Sequence, residues 1–170
     1  MTAELAMLSP SHLGSMTPWL TSPHFADKVA SACIQQFHKL SKQGKPLIHP
    51  AKAEWTVLAG VVSVQTCDDG DYTMQVVSLG TGLKCLPFSK MSPNGDLLND
   101  AHAEVVARRG FIKYLLNQLA CVIDDEALGI FRFTTDDERE ASADEIGYPP
   151  VFTRKGQNIS YHMYISQSPC

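Results

Sequence analysis

Apolar residues recur at helical spacing soon after Ser22-Pro23, with Phe25, Val29, Cys33, Phe37 and Leu40 on one face. Serine caps a helix well, and proline suits the first helical position, where its missing N–H would have had no partner. A helix is therefore expected from Ser22-Pro23, closed by Gly44 and Pro46. The pattern then changes. Trp55 to Thr66 is β-branched and almost continuously apolar, as expected of a central strand buried on both faces. Asp68-Asp69-Gly70 signals a turn, and Tyr72 to Leu79 reads as a second strand paired antiparallel with the first. A second helix is expected from Asp100 to about Cys121, with Val105, Ile112, Leu115, Leu116 and Leu119 as its core face. Leu128 to Thr134 reads as a short strand. Asn158 to Gln167 reads as a third clear one, with Ile159, Tyr161, Met163 and Ile165 alternating against His162 and Tyr164. Ser168-Pro169-Cys170 has the look of another helix start.

The intervals between these elements are polar. Residues 1–22 mix Ser, Pro, Gly and Thr and are expected to form a disordered lead to a domain at 23–170. Thr135 to Gln157 is acidic, then rich in Gly and Pro, and reads as a surface insertion. Gly80-Thr81-Gly82 lacks the third glycine and the following helix of a phosphate cradle, so it reads as a backbone bend or a close approach of a ligand to backbone. His38 reads as a helix-surface histidine.

Composition narrows the class. A chain of 170 residues with 44% hydrophobic residues supports a core. A net charge of −4 argues mildly against non-specific nucleic-acid binding, which depends on basic charge. No apolar run is long enough to span a bilayer, and the N-terminus has no secretory pattern. Five irregularly spaced cysteines fit free or metal-binding thiols in a reducing compartment, with no disulfide-linked partner. An intracellular protein, nuclear or cytoplasmic, is expected.

The candidate chemistry sits at the start of the second helix. His102 and Glu104, two residues apart on a continuing helix, point about 200° away from each other. They serve one site only if it lies off the helix N-terminus, with Asn99 or Asp100 as cap. Cys170, at a second helix start, would carry a thiol of lowered pKa suited to zinc. Nucleobase deaminases combine H-x-E with a later P-C-x-x-C. Their His and Cys residues hold a tetrahedral zinc, and the Glu moves protons without ligating the metal. His-Ala-Glu followed by a strand and Pro169-Cys170 agrees with that order. A capping histidine and an ordinary thiol remain the competing explanations for His102 and Cys170.

Longer blocks carry a resemblance. Val76-Val77-Ser78-Leu79-Gly80-Thr81-Gly82, Lys84-Cys85, Leu98-Asn99-Asp100-Ala101-His102-Ala103-Glu104-Val105, Arg108-Arg109, Tyr114-Leu115 and Gln118-Leu119 resemble the adenosine-to-inosine RNA editing deaminases. Tyr161 to Ser166 and Ser168-Pro169-Cys170 continue the likeness, which runs from about Phe25 to Cys170. Within the family the chain is most similar to the branch that edits alanine tRNA beside the anticodon. The resemblance implies an α/β, cytidine-deaminase-like mixed sheet with helices packed on it, here stopping after the third clear strand. It implies zinc-dependent hydrolytic deamination of adenosine to inosine in tRNA, with RNA as partner. His102 and Cys170 match zinc ligands, and Glu104 matches the proton shuttle. Asn99, Arg108 and Arg109 match residues around a buried inositol hexakisphosphate, which would satisfy two adjacent guanidiniums inside a fold. Val57 matches a residue near the target base, and Lys84 one near the RNA backbone. Leu83 departs from the threonine usual in editors of double-stranded RNA. The family's second zinc cysteine lies beyond Cys170, and no other cysteine takes its place. Residues 23–170 are therefore expected to be the N-terminal portion of the domain, lacking a third protein ligand. The alternative expectation is an inactive piece acting at most as an RNA- or protein-binding module.

Overall fold

A computed structural model describes residues 17–41, 45, 55–67, 70–125, 127–140, 150–156 and 158–168. Residues 1–16 of the disordered lead expected at 1–22, the helix closure at Gly44 and Pro46, the turn residues Asp68 and Asp69, and Pro169-Cys170 of the expected helix start lie outside them. The described residues form two compact units, one drawn from Met1–Gly110 with Asn158–Cys170 and one from Phe111–Gln157.

The first unit is built on a three-stranded antiparallel sheet. Strand β1 (Leu58–Thr66) lies between β2 (Tyr72–Thr81) and β7 (Ile159–Ile165). Its central place explains its composition. Val62, Val64 and Ala59 are fully buried, with Val61 nearly so, because both faces are covered. The hairpin β1–β2 forms as expected, with a bulge between Val61 and Val62. On one face lies helix α2 (Phe25–Lys39), whose Phe25, Val29 and Cys33 pack with Val62 and Val64. Gly60 admits this helix, because a Cβ there would lie 2.6 Å from Cys33 Sγ. Burial pushes the Cys33 thiol up to about 11, so it is a packing group rather than a nucleophile.

The helix does not begin at Ser22-Pro23. A short helix α1 (Pro18–Thr21) comes first, and α2 starts at Phe25 after His24, whose φ of 57° is left-handed and whose side chain does not cap the helix. The Ser22 hydroxyl is engaged elsewhere, 2.8 Å from Tyr72 Oη. Residues 17–22 are therefore not a disordered lead. Trp19 sits 5.0 Å from the His162 ring, which lies 4.9 Å from Phe25. Thus His162 of β7 faces α2, whereas Met163, expected on the apolar face, is 46% exposed.

The opposite face receives helix α3 (Ala103–Asp124) through small residues. Val57 and Ala59 pack with Ala103 and Ala107, both fully buried. Gly80 closes this contact. A Cβ there would collide with the Ala103 carbonyl and come within 2.6 Å of the Ala107 amide nitrogen. What approaches Gly80 is helix backbone, where the sequence had suggested a bend or a ligand. Ser78 Oγ donates to the Ala107 carbonyl at 2.9 Å. Of the expected core face of α3, Val105, Leu115 and Leu119 are half-buried. Val122 is buried, whereas Ile112 and Leu116 are exposed. Packing by Ala103 and Ala107 turns Ile112 about 180° away at 100° per residue.

Before α3, strands β3 (Leu83–Cys85) and β4 (Asp100–His102) pair antiparallel, a ribbon too short to show in the hydrophobic pattern. In the second unit, β5 (Phe131–Phe133) pairs with β6 (Phe152–Arg154). This corrects the reading of 135–157 as insertion throughout. Arg132 grips Glu138 with both terminal nitrogens, and Thr135 and Glu138 exchange hydrogen bonds as a capping box. Among the described residues no helix is long and apolar enough to cross a membrane.

Gly80→Ala is expected to cost about 1–3 kcal/mol or more through overpacking against helix backbone, measured as a lower urea midpoint. Burial holds the His162 pKa below its ordinary value. The associated stability is therefore fully present above the unfolded value of about 6.5 and is lost as pH falls through the folded value. In urea melts between pH 8 and 5, His162→Phe should flatten that decline, and an unchanged slope would exclude His162 as its source.

Candidate active site

The switch from strand to helix at His102 and Ala103 sets the geometry. Asp100 to His102 is strand, not the first helical turn that the sequence suggests, so His102 immediately precedes α3 and Glu104 falls in its first turn. The chain direction changes between them, and both side chains reach one cavity of about 360 Å³. Ala103, between them, is fully buried and anchors the turn.

Asp100 orients the histidine. Its Oδ1 accepts the His102 backbone N–H at 3.0 Å and lies 3.0 Å from His102 Nδ1. The backbone N–H of His102, above all, holds the Asp100 carboxyl below its ordinary range, so near neutral pH the carboxylate only accepts. In the neutral ring Nδ1 therefore carries the proton, and Nε2 presents the lone pair. Metal-ligating histidines use this carboxylate–imidazole arrangement. The Asp100 carbonyl accepts from Arg109 Nη1 at 2.8 Å, tying the strand back to the helix.

Val57 lines the same cavity, so the residue expected near a target base stands with His102 and Glu104. Gly82 donates its N–H to the Val57 carbonyl at 3.2 Å, and a Cβ on Gly82 would collide with the Ala101 carbonyl. The far wall comes from the end of β7. Ser166 N donates to the Leu58 carbonyl at 2.8 Å and Leu58 N to Ser166 Oγ at 3.0 Å, which delivers Gln167 and Ser168 to the cavity. Gly82 and Leu83 also line it, as do Trp55, Gln167 and Ser168, which were not identified from sequence as site residues. Trp55 had a signal in being a tryptophan at a strand entrance, whereas Gln167 and Ser168 had none.

The other expected residues fall differently. Lys84 is exposed on β3, outside the His102 cavity but on an adjoining one of about 320 Å³. Cys170 lies outside the described residues, two positions beyond Ser168. Among the described residues no group of three His, Cys, Asp or Glu side chains is placed to hold a metal. The donor chemistry at His102 nevertheless fits zinc, since the free nitrogen belongs to a carboxylate-oriented imidazole. Arg108 and Arg109 are exposed rather than enclosed. Asn99 has a buried Oδ1 with no hydrogen-bond partner among the described residues.

Residues 78–170 match the adenosine-deaminase (editase) domain, and the chain belongs to that family. It is 49% identical over 104 residues to tRNA-specific adenosine deaminase 1 of Homo sapiens, covering 55% of this chain and 20% of that protein. The Drosophila melanogaster protein of the same name is 45% identical over 92 residues, covering 54% and 22%. Double-stranded RNA-specific editase B2 of Mus musculus is 34% identical over 164 residues, covering 95% and 20%. The chain thus spans about one fifth of the length of these relatives.

Asp100→Ala should release the imidazole. Nitrogen NMR of His102 is expected to change from one tautomer to a mixture, and an unchanged tautomer would show that Asp100 does not orient the ring.

Proposed function

We propose that the cavity at the start of α3 is part of the active site of a zinc-dependent adenosine deaminase acting on RNA, with tRNA, and alanine tRNA beside the anticodon in particular, as substrate. One observation carries the reading: His102, oriented by Asp100, and Glu104 reach one cavity from opposite sides of a strand-to-helix switch. The names of the relatives support adenosine in RNA, and those of tRNA-specific adenosine deaminase 1 support tRNA.

In this reading His102 Nε2 and the Cys170 thiolate are the zinc ligands that this chain supplies. Bound zinc would supply the charge that makes a water nucleophilic near neutral pH. The remaining work falls to the chain itself. Val57 gives the purine an apolar wall. Water adds at C6 as Glu104 takes its first proton and passes it to the ring nitrogen; Glu104 then moves the second proton, from the C6 hydroxyl, to the amine, so that ammonia leaves as the C6 carbonyl forms. The base must be unpaired to enter, as an anticodon-loop nucleotide can be. The cavity volume lies within the range of small-ligand sites. Inositol hexakisphosphate plays no part in these steps.

A second reading is RNA binding without turnover. The two separate in one set of measurements. The 170-residue chain is expected to hold less than one zinc and to form no inosine in alanine tRNA. In a product extended to the length of its relatives, Glu104→Ala should keep zinc and RNA binding while lowering inosine formation by about 10²–10⁴-fold. Undiminished turnover would remove Glu104 from the mechanism, and absence of turnover in the extended wild type would favour the binding module.

A further inference from the structure

The geometry points to Trp55 as a stacking platform for the nucleobase that flanks the one entering the His102–Glu104 cavity, with Lys84 facing the phosphate between them. This rests on the RNA reading above and adds a subsite to it.

Trp55 is 64% exposed, the most exposed aromatic ring among the large hydrophobic side chains left at the surface. It precedes β1 without joining it. It lines the cavity of His102 and Glu104 and also the adjoining cavity that holds Lys84. Gly82 and Leu83 line both as well. Gly82 puts no side chain between the two, and backbone at Ala101 forbids one there. A continuous path therefore leads from the exposed cation to the candidate reaction centre, with one aromatic ring along both stretches. Proteins that hold single strands combine cationic contacts to phosphate with aromatic faces on which bases stack. A base pulled out of its own stack leaves neighbours whose faces are uncovered, and an exposed indole beside the point of entry suits one of them. An aromatic ring reads no base edge, so the subsite accepts any base.

The sequence contains two tryptophans, Trp19 and Trp55. Trp19→Phe makes Trp55 the reporter and keeps an aromatic ring against Phe25 and His162. The probe is a short single-stranded oligoribonucleotide with a central adenosine, compared with matched oligonucleotides abasic at either flanking position. Trp55 emission should be quenched on binding. Trp55→Leu should weaken binding about ten-fold and leave its salt dependence unchanged, whereas Trp55→Tyr should stay within about three-fold. Lys84→Ala should lower the salt slope by about 0.7, the amount for one phosphate of a single strand. One abasic oligonucleotide should lose affinity for the Trp55 protein but not for Trp55→Leu. Equal binding by Trp55→Leu, or an abasic penalty that persists in it, would overturn the platform. Failure of the wild-type chain to bind RNA would overturn both the platform and the RNA reading. Quenching by the base-bearing oligonucleotide without inosine formation would support the platform while counting against turnover by this chain.

Discussion

The contact between the edge of β2 and the first two turns of α3 fixes the position of everything chemical in this chain. Ser78 and Gly80 face Ala103 and Ala107 so closely that backbone meets backbone. Interiors are packed near crystal density, and a gap or an extra methyl group there is felt at once. Because Ala103 cannot move, His102 before it and Glu104 after it cannot drift either. The site gains its precision from a helix start whose neighbours are too small to allow alternatives, rather than from a network around the reacting groups.

Onto that fixed point the chain adds one orienting group. The Asp100 carboxylate accepts from both the backbone and the ring of His102, so the residue that shapes the turn also selects the tautomer. The Arg109 guanidinium closes onto the Asp100 carbonyl through one nitrogen. It acts as a strap across the strand-to-helix switch. The same cation that suggests a ligand in the sequence is satisfied locally by main chain, with its solvent-facing side still exposed.

How much of this was legible depended on the kind of signal. β1 stood out because a strand covered on both faces must be apolar along its length, and Val61, Val62 and Val64 are. β7 and the hairpin were legible for similar reasons. The ribbon of β3 and β4 was not, since three residues carry no period, and the resulting switch at His102 was read as continuous helix. The helix start at Ser22-Pro23 was misplaced because Ser22 bonds Tyr72, a partner 50 positions away that no local rule anticipates. Ile112 and Leu116 looked like core because large apolar residues usually are, yet alanines made the close contact. At the site, Val57, which the resemblance brought in, lines one cavity with His102 and Glu104 of the motif. Trp55, Gln167 and Ser168 went unread because their relevance comes from the fold's long-range pairing.

The bond from Leu58 N to Ser166 Oγ joins residues 108 positions apart. Closing so long a loop costs entropy before any contact rewards it. The hairpin and α2 are local by comparison and can form earlier. The cavity therefore completes late: a ribosome must have passed Ser166, and β7 must have docked, before Val57 and Glu104 face a common wall. Until then β1 has a free edge, the very surface on which strands add to one another. For this fold, acquiring the site and escaping aggregation are one event in time.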